Sequence, residues 1–408
     1  MHDAGRRGQA AGKMHVLSSR RRAFDYAIEH SLMLPVGAVI ALVWANLSHA
    51  TYTQVAHVLA FPVNDVGMVF FFALATKEVV EATVPGGALH TWRRAALPGI
   101  AAVGGMAAPA IIYIVYVRAA GAPELTRGWA IPCATDIAFS FLVAKAIFRR
   151  HPAIPFLLLL AIADDALGLV ILALFYPVAD LHLIAGASLM AAALASAYVL
   201  RRMGVRLYWP YVIAGGALSW AALFRGGLHP ALALVPIVPF IPHAAGDRGL
   251  LVDAPADARD ALSQFERRWK YPVQGILFFF GLANAGVPVA QHGTGTWAVL
   301  IGILAGKPIG IGLAILLAVA AGLKLPHRAG WRDMAVVGCA AGIGFTVALF
   351  FATAAFPSGP ALDEAKLGAL LSVTSAAVAF AVAAVLRAGR FGPTALPSGR
   401  SGSAEGDP

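Results

Sequence analysis

Apolar runs of about 20 residues recur along nearly the whole chain, and this repetition restricts the fold more than any other feature. A helix needs a run of that length to cross the hydrocarbon core of a bilayer. Of the 408 residues only 13% are charged, whereas a soluble domain averages about a quarter. The mean hydropathy is +0.74. The chain is therefore predicted to be an all-α polytopic membrane protein, and its composition argues against a soluble enzyme.

Counting such runs predicts about twelve membrane-spanning helices. The predicted spans are 31–49, 62–84, 97–117, 129–147, 153–176, 181–200, 207–224, 228–242, 271–290, 296–321, 333–356 and 367–386. They form one transmembrane domain, 29–388, between a basic N-terminal tail, 1–28, and a disordered C-terminal tail, 389–408. The connection 243–270 is polar and charged, and it is predicted to be a solvated loop.

The distribution of basic residues predicts the orientation of these spans. Most of the 31 Lys and Arg fall in the two tails and in alternate loops, and few fall in the opposite loops. Because cytoplasmic loops carry the excess of basic residues, both termini are predicted to be cytoplasmic. The net charge of +10 could suggest a nucleic-acid partner, but the basic residues do not gather on one face or arm. The predicted partner is membrane lipid, with no nucleic acid.

Two adjacent aspartates, Asp164 and Asp165, lie inside the apolar run of the predicted fifth span. An ionisable group at bilayer depth costs about 2.5 kcal/mol or more, so each needs a partner or a function. Neighbours on a helix point about 100° apart, so the two carboxylates can serve different partners while lining one cavity. Two like charges in a low dielectric do not both ionise cheaply. The pair therefore indicates a site where a cation and protons compete; the alternative is that both are structural partners of buried cations.

A lysine, Lys307, lies inside the predicted tenth span, in a segment that begins Gly302 and continues through Gly306 to Pro308. A phosphate-binding loop needs four residues between the glycines and Ser or Thr after the lysine, and this segment has neither. The two glycines instead indicate a small-residue packing face. Lys307 is then either a fixed positive charge for a buried carboxylate or a group that titrates.

The fourth and eleventh predicted spans are both expected to be broken. Pro132 interrupts the fourth just before Thr135 and Asp136, and the eleventh has glycines at three nearby positions, which are Gly338, Gly342 and Gly344. Interrupted helices in two halves of a transporter leave half-helix ends and free carbonyls at mid-membrane, where ions bind. The two breaks, together with the intramembrane carboxylate of Asp136, therefore favour an ion site at mid-membrane.

The other buried charges are less specific. Lys77 and Glu81 are spaced i, i+4, so they either pair with each other or serve ion access together with Glu78. His229 is either a packed histidine or a proton sensor.

The sequence resembles the NhaA-type Na⁺/H⁺ antiporters of bacterial inner membranes over roughly residues 25 to 390. The motifs that carry the resemblance are Thr135–Phe139 (TDIAF), Ala161–Asp165 (AIADD), Gly306–Gly310 (GKPIG) and Gly342–Thr346 (GIGFT). It implies an inverted-repeat fold in which the discontinuous fourth and eleventh helices cross. It also implies a secondary transporter rather than an enzyme, with Na⁺ or Li⁺ and H⁺ as transported ions and no cofactor. The implied role is sodium and pH homeostasis by electrogenic exchange.

The resemblance also implies roles for individual residues. Asp165 would be the principal Na⁺ ligand, and Asp164 its neighbour, which exchanges a salt bridge with Lys307. Thr135 would help line the site. Asp136 would offset the positive ends of the half-helices and Lys307 the negative ends. Glu266 and His229 occupy positions linked to pH response in the family.

Two departures from the family pattern limit what the resemblance implies. Where the family reads Gly-Leu-Glu-x-Lys-Arg-Glu at the end of the second span, this chain reads ATKEVVE over residues 75–81, so Lys77 replaces a carboxylate. The alkaline activation attributed to that region therefore does not carry over. The first external loop, near 49–61, is too short for the β-hairpin that joins protomers in the family, so a homodimer is expected to be weak or to use another surface.

Two other functions are compatible with parts of the sequence. A sodium-coupled symporter of an organic anion would keep the fold, but its cavity would need basic residues beyond Lys307. An intramembrane aspartyl protease also uses two aspartates, but on separate helices in a Gly-x-Gly-Asp context. Asp164 and Asp165 are adjacent and follow Ala-Ile-Ala, which disfavours the protease.

Overall fold

The structure is a computed structural model that describes residues 32–149, 151–243 and 260–392. Within these ranges the chain forms helices and turns and no strand. The predicted N-terminal tail lies outside the described residues, as does the C-terminal tail after residue 392. The described part is thus all-helical, as predicted, and the bounds of the transmembrane domain stay a prediction.

Thirteen helices are labelled α1 to α13 in chain order within the described ranges. They are α1 Met33–Leu47, α2 His49–Thr83, α3 Trp92–Ala119, α4 Ile137–Phe148, α5 Ala153–Phe175, α6 Leu183–Arg202, α7 Ala217–Gly226, α8 Ala261–Asn284, α9 Thr294–Ala320, α10 Trp331–Ala340, α11 Phe345–Ala355, α12 Pro360–Leu371 and α13 Thr374–Val385. Short π-helical segments lie within α2 (Phe61–Gly67) and α9 (Gly302–Gly306) and directly before α7 (Tyr211–Gly216).

Six stretches of the described chain are helical, long and apolar enough to cross a membrane, and two bent helix pairs bring this to eight. The shorter helix α1 is also apolar. The count of twelve spans stays a prediction. One predicted span differs in structure: residues 228–242 form turns, with 3₁₀ helices at Pro230–Leu232 and Val238–Phe240. Proline lacks the N–H that a helix needs, and four prolines (230, 236, 239 and 242) occur in these fifteen residues.

Of two connections predicted from polarity, the described residues from 261 onward are helical in one, and the other is helical throughout. The predicted loop 243–270 ends early, because Asp260 accepts a hydrogen bond from the backbone N–H of Ser263 and so caps α8. Residues 244–259 of that loop lie outside the described ranges. The predicted first external loop, 49–61, is the first part of α2. Its sequence contains no glycine or proline before Pro62, so nothing in it stops a helix.

The fourth and eleventh predicted spans are broken, as expected. The 3₁₀ segment Pro123–Cys133 meets α4 at 53°, and α10 meets α11 at 50°. Between the helical parts the chain is unwound, and the two unwound segments touch: the backbone N–H of Asp136 donates to the carbonyl of Ile343 at 2.6 Å. At Gly344 a side chain would lie 2.9 Å from the carbonyl oxygen of Ala134, which explains why glycine occupies this crossing.

The glycines before Lys307 pack closely, as the sequence predicted. A Cβ at Gly302 would lie 2.9 Å from Pro132, and one at Gly306 would lie 2.7 Å from Pro109. Small residues in α9 therefore let this helix approach α3 and the broken fourth span at backbone distance. The π-helical turn Gly302–Gly306 directly precedes Lys307, and such turns rotate the residues that follow them. This packing brings Lys307 beside the unwound segment at Thr135.

Candidate functional site

Lys307, Asp164 and Thr135 form one buried polar group between α9, α5 and the broken fourth span. The ammonium of Lys307 donates to Asp164 Oδ2 at 2.6 Å and to the hydroxyl of Thr135. None of the three is more than 2% exposed. The other oxygen, Asp164 Oδ1, is buried and bonded to no described residue. A buried ion pair is thus combined with an unused oxygen that can accept a cation or a proton.

The hydroxyl of Thr135 connects this ion pair to the broken eleventh span. Its oxygen lies 2.6 Å from Asp164 Oδ2 and 3.0 Å from the carbonyl oxygen of Ala341. A hydroxyl has one hydrogen to donate, so Thr135 can serve only one of these two acceptors at a time.

Asp165 is not part of this ion pair. It is partly exposed, and it makes no hydrogen bond or ion pair with any residue in the described ranges. Both aspartates and Thr135 line one cavity, whose other walls are apolar. The aromatic lining residues are Phe71, Phe72, Phe350 and Phe351. An unpaired carboxylate on an open, largely apolar cavity is available to a small cation.

Asp136 lies at the N-terminal ends of two half-helices. It caps α4, with Oδ1 accepting from the backbone N–H of Phe139 at 3.3 Å. Its other oxygen, Oδ2, accepts from the backbone N–H of Thr346 at 3.3 Å and from the hydroxyl of the same residue, in the first turn of α11. A carboxylate at a helix N-terminus is stabilised by the helix dipole, and Asp136 meets two of them.

Lys307 was expected to offset the negative ends of the half-helices. Its hydrogen bonds within the described chain go to side chains, those of Asp164 and Thr135, and not to any carbonyl at those ends. The carbonyls at the end of α10 are bound by hydroxyl groups instead. Ser140 donates to Ala340 O at 2.9 Å, and Ser375 donates to Cys339 O at 2.8 Å. Neither serine, nor Thr346, was singled out from the sequence, because isolated hydroxyl residues in apolar helices carry no distinctive spacing.

A second lysine centre lies on α2. The ammonium of Lys77 is 2.8 Å from Glu81 Oε2, 2.9 Å from Glu266 Oε2 and 3.2 Å from Glu78 Oε1. The predicted i, i+4 pair of Lys77 and Glu81 is therefore present, and the other two carboxylates join it. We call these four residues the Lys77 centre. Lys77 is 2% exposed, whereas the three glutamates are partly exposed.

His229 lies in the turn that follows α7, beside Asp65 of α2. Its Nδ1 is 4.0 Å from Asp65 Oδ1, and its ring is 4.7 Å from that of Phe350, which lines the cavity. Asp65 and Lys77 are twelve residues apart on one helix, or roughly 18 Å along its axis. The residues of α2 that line the cavity, Phe71, Phe72 and Ala75, lie between them. The predicted site residues thus form three separate groups rather than one.

A family model described as Na⁺/H⁺ antiporter 1 matches residues 21–384. The chain belongs to the Na⁺/H⁺ antiporter 1 family. Two similar proteins carry the name of an Na⁺/H⁺ antiporter NhaA. One, from Desulfitobacterium hafniense, is 44% identical over 384 residues, which cover 91% of this chain and 97% of that protein. The other, from Pelobacter propionicus, is 45% identical over 382 residues, which cover 91% of this chain and 100% of that protein. The predicted family is therefore confirmed, and with the apolar helices it identifies a multi-pass membrane protein.

A solved structure, that of the sodium proton antiporter MjNhaP1 from Methanocaldococcus jannaschii, is similar in fold. The TM-score is 0.54 at 14% identity, and the match covers 92% of this chain and 97% of that one. At this identity the likeness concerns the fold alone. It agrees with the antiporter fold that the resemblance to the family implied.

Proposed function

We propose that this protein exchanges Na⁺ or Li⁺ for H⁺ across a bacterial inner membrane, at the group formed by Asp164, Asp165, Thr135 and Lys307. The observation that carries the proposal is the unequal pairing of the two aspartates. Asp164 is bound by Lys307, while Asp165 lies on the cavity with no partner among the described residues. One carboxylate is then ready for a cation, and the other becomes available when the lysine leaves.

Competition for these two carboxylates gives the exchange. A cation that binds both Asp165 and Asp164 displaces Lys307 from Asp164 and requires that neither carboxylate carries a proton. Two protons arriving from the other side do the reverse: one neutralises Asp165, and the other replaces the proton that the displaced lysine released, so that the ion pair with Asp164 forms again. The two ligands exclude each other, so alternating access moves them in opposite directions. With two proton-linked groups for one cation, more charge enters than leaves, and the exchange is electrogenic.

Other parts of the molecule support this cycle. Asp136 compensates the N-terminal ends of α4 and α11 that meet at mid-membrane. The Lys77 centre and the contact of His229 with Asp65 lie at two points along α2, with the cavity-lining residues of that helix between them. We assign ion access and pH response to these two groups. We expect both termini to be cytoplasmic, no cofactor besides the transported ions, and a homodimer only through a surface other than a β-hairpin.

The cavity does not favour a symporter of an organic anion. Its described lining holds two carboxylates and no basic side chain, so an anion would meet like charge without a counter-ion. An aspartyl protease is also disfavoured. Its two carboxylates would have to face each other across the peptide bond of a substrate, whereas Asp164 and Asp165 are adjacent in the chain and Asp164 is bound to Lys307.

The test is Na⁺-driven proton movement in everted membrane vesicles, followed with a pH-sensitive dye. We expect Asp165→Asn to abolish the Na⁺-dependent signal while the protein still inserts, because the free ligand is lost. The matched control is Asp180→Asn, which changes an exposed aspartate in a connection. Retained Na⁺-dependent proton movement in Asp165→Asn would contradict the assigned site, and no signal from the unaltered protein at any pH would contradict the exchange itself.

A further inference from the structure

Three consecutive carbonyls at the end of α10 each lie within hydrogen-bond distance of a side-chain hydroxyl from another part of the chain. The donor–acceptor pairs are Ser375 to Cys339 at 2.8 Å, Ser140 to Ala340 at 2.9 Å, and Thr135 to Ala341 at 3.0 Å. The three donors come from α13, from α4 and from the unwound fourth span. Three different elements thus meet on one turn of main chain.

These carbonyls need external donors because the helix ends there. The last carbonyls of a helix have no partner further along it, and inside a membrane no bulk water replaces that partner. Turn hydrogen bonds supply part of the need: Gly342 N–H donates to Cys339 at 3.1 Å and Ile343 N–H to Ala340 at 3.4 Å. The bond from Ile343 is long, so Ser140 is the better donor to Ala340.

The fit around the two serines is close. Ser140 is 0% and Ser375 is 1% exposed, so neither hydroxyl can form a hydrogen bond with bulk solvent. A Cβ on Gly342 would collide with Ser375 Oγ, so the serine occupies the space that the missing side chain leaves. The glycine of the break and the serine of α13 are therefore complementary parts of one contact.

The turn held in this way leads directly into the ion site. The third carbonyl, that of Ala341, contacts the Thr135 hydroxyl, which also lies beside Asp164 and accepts a hydrogen bond from Lys307. If the turn at 339–341 shifts, the acceptor available to Thr135 shifts with it. The position of a group in the ion site thus depends on two serines that do not touch the ion site.

We propose that Ser140 and Ser375 are positioning residues for ion exchange. They hold the main chain at Ala340 and Cys339, and so keep the Ala341 carbonyl in place beside Thr135. This inference rests on the function proposed for the Asp164 and Asp165 site. It predicts an effect on the apparent affinity for Na⁺, because the serines shape the binding geometry and take no part in proton transfer.

The experiment compares Ser140→Ala and Ser375→Ala in purified protein reconstituted into liposomes. The measured quantities are the Na⁺ concentration for half-maximal exchange, the maximal rate and the midpoint of thermal unfolding in detergent. We expect each variant to raise the half-saturating Na⁺ concentration about fivefold, the effect of losing one ordinary hydrogen bond. Ser140→Thr, which keeps the hydroxyl, should restore the original value.

The control is Ser219→Ala. Ser219 is equally buried, but its hydroxyl contacts only the sulfur of Met190, at 3.7 Å, away from the broken spans. The proposal is wrong if the serine variants leave the half-saturating Na⁺ concentration unchanged, or if Ser219→Ala changes it as much. It is also wrong if they lower only the unfolding midpoint, since a merely structural role would do that.

Two further variants keep the outcome interpretable. If an alanine variant does not fold, Ser140→Cys and Ser375→Cys keep a weaker donor of similar size, and an intermediate rise in the half-saturating concentration is expected. Unaltered protein and Asp165→Asn are measured alongside. If the unaltered protein exchanges ions and Asp165→Asn does not, but the serine variants have an unchanged half-saturating Na⁺ concentration, only the positioning role is wrong. If Asp165→Asn exchanges ions as well as the unaltered protein does, the assigned ion site is wrong.

Discussion

The two buried lysines of this protein are surrounded in opposite ways. Lys307 has one carboxylate, Asp164, and both are within 2% of complete burial, while Asp165 next to them is unpaired among the described residues. Lys77 has three carboxylates within 3.2 Å, each partly open to solvent. A single incoming cation can displace Lys307 from Asp164, because the lysine has one carboxylate partner and the unpaired carboxylate of Asp165 lies next to it. A cation shared by three carboxylates is held from several sides, so we interpret the Lys77 centre as fixed and the Lys307 pair as exchangeable.

The largest effect is expected from Lys307→Met, which keeps the volume and removes the charge. Asp164 would be left buried without its partner, and removing one member of a buried ion pair costs about 3–5 kcal/mol of stability. Na⁺-dependent proton movement should be lost as well. Thermal unfolding in detergent and the vesicle assay measure the two effects, with Lys324→Met at an exposed position as the control. A normal unfolding midpoint would mean that Asp164 does not depend on Lys307.

Lys77→Met makes the same change at the other centre, and the contrast between the two variants is the sharpest test. The glutamates can be solvated in part, so we expect a smaller loss of about 1–3 kcal/mol, the cost of leaving polar groups unsatisfied. Exchange should persist, with an altered pH profile. If Lys77→Met abolished exchange as completely as Lys307→Met, the distinction between a fixed and an exchangeable lysine would have to be given up.

Glu266→Gln should have the smallest effect. Two carboxylates remain on Lys77, and the amide oxygen of glutamine can still accept its hydrogen bond, so the loss should stay within about 1 kcal/mol, as for partly exposed ion pairs. Asp164→Asn offers the comparison, because it leaves Lys307 without a carboxylate. The unfolding midpoint of Asp164→Asn should be clearly lower than that of Glu266→Gln. Equal midpoints would show that three carboxylates stabilise a buried lysine no better than one does.

Residue types with a high cost at bilayer depth made the central site predictable from sequence. Asp164, Asp165 and Lys307 are conspicuous in apolar runs, and Pro132 with the glycines of the eleventh span marked both breaks. Residue type and spacing alone could not decide which aspartate the lysine binds, and only the resemblance to the family implied Asp164. Neighbouring residues differ only by direction around a helix, and the direction of Lys307 depends on how α9 packs against α3 and the fourth span.

Other features escaped prediction for different physical reasons. Ser140 and Ser375 act through contacts with elements distant in sequence, so no local spacing reveals them. The predicted eighth span has the composition of a helix, but its prolines remove the necessary donors. Residues 49–60 have the polarity of a loop, yet they continue a helix because nothing in them ends it.

The length of α2 has a mechanical consequence. At 1.5 Å per residue its 35 residues extend roughly 52 Å, well beyond the roughly 30 Å of a hydrocarbon core at ordinary tilts, so one end stands clear of the lipid. The segment next to His49 has mostly exposed side chains, which suits that end. A rotation of α2 by about 5° about a point near Ala75, at the cavity wall, would move Thr53 by roughly 3 Å. A spectroscopic label near Thr53 would therefore report movements that are too small to resolve at the carboxylates themselves.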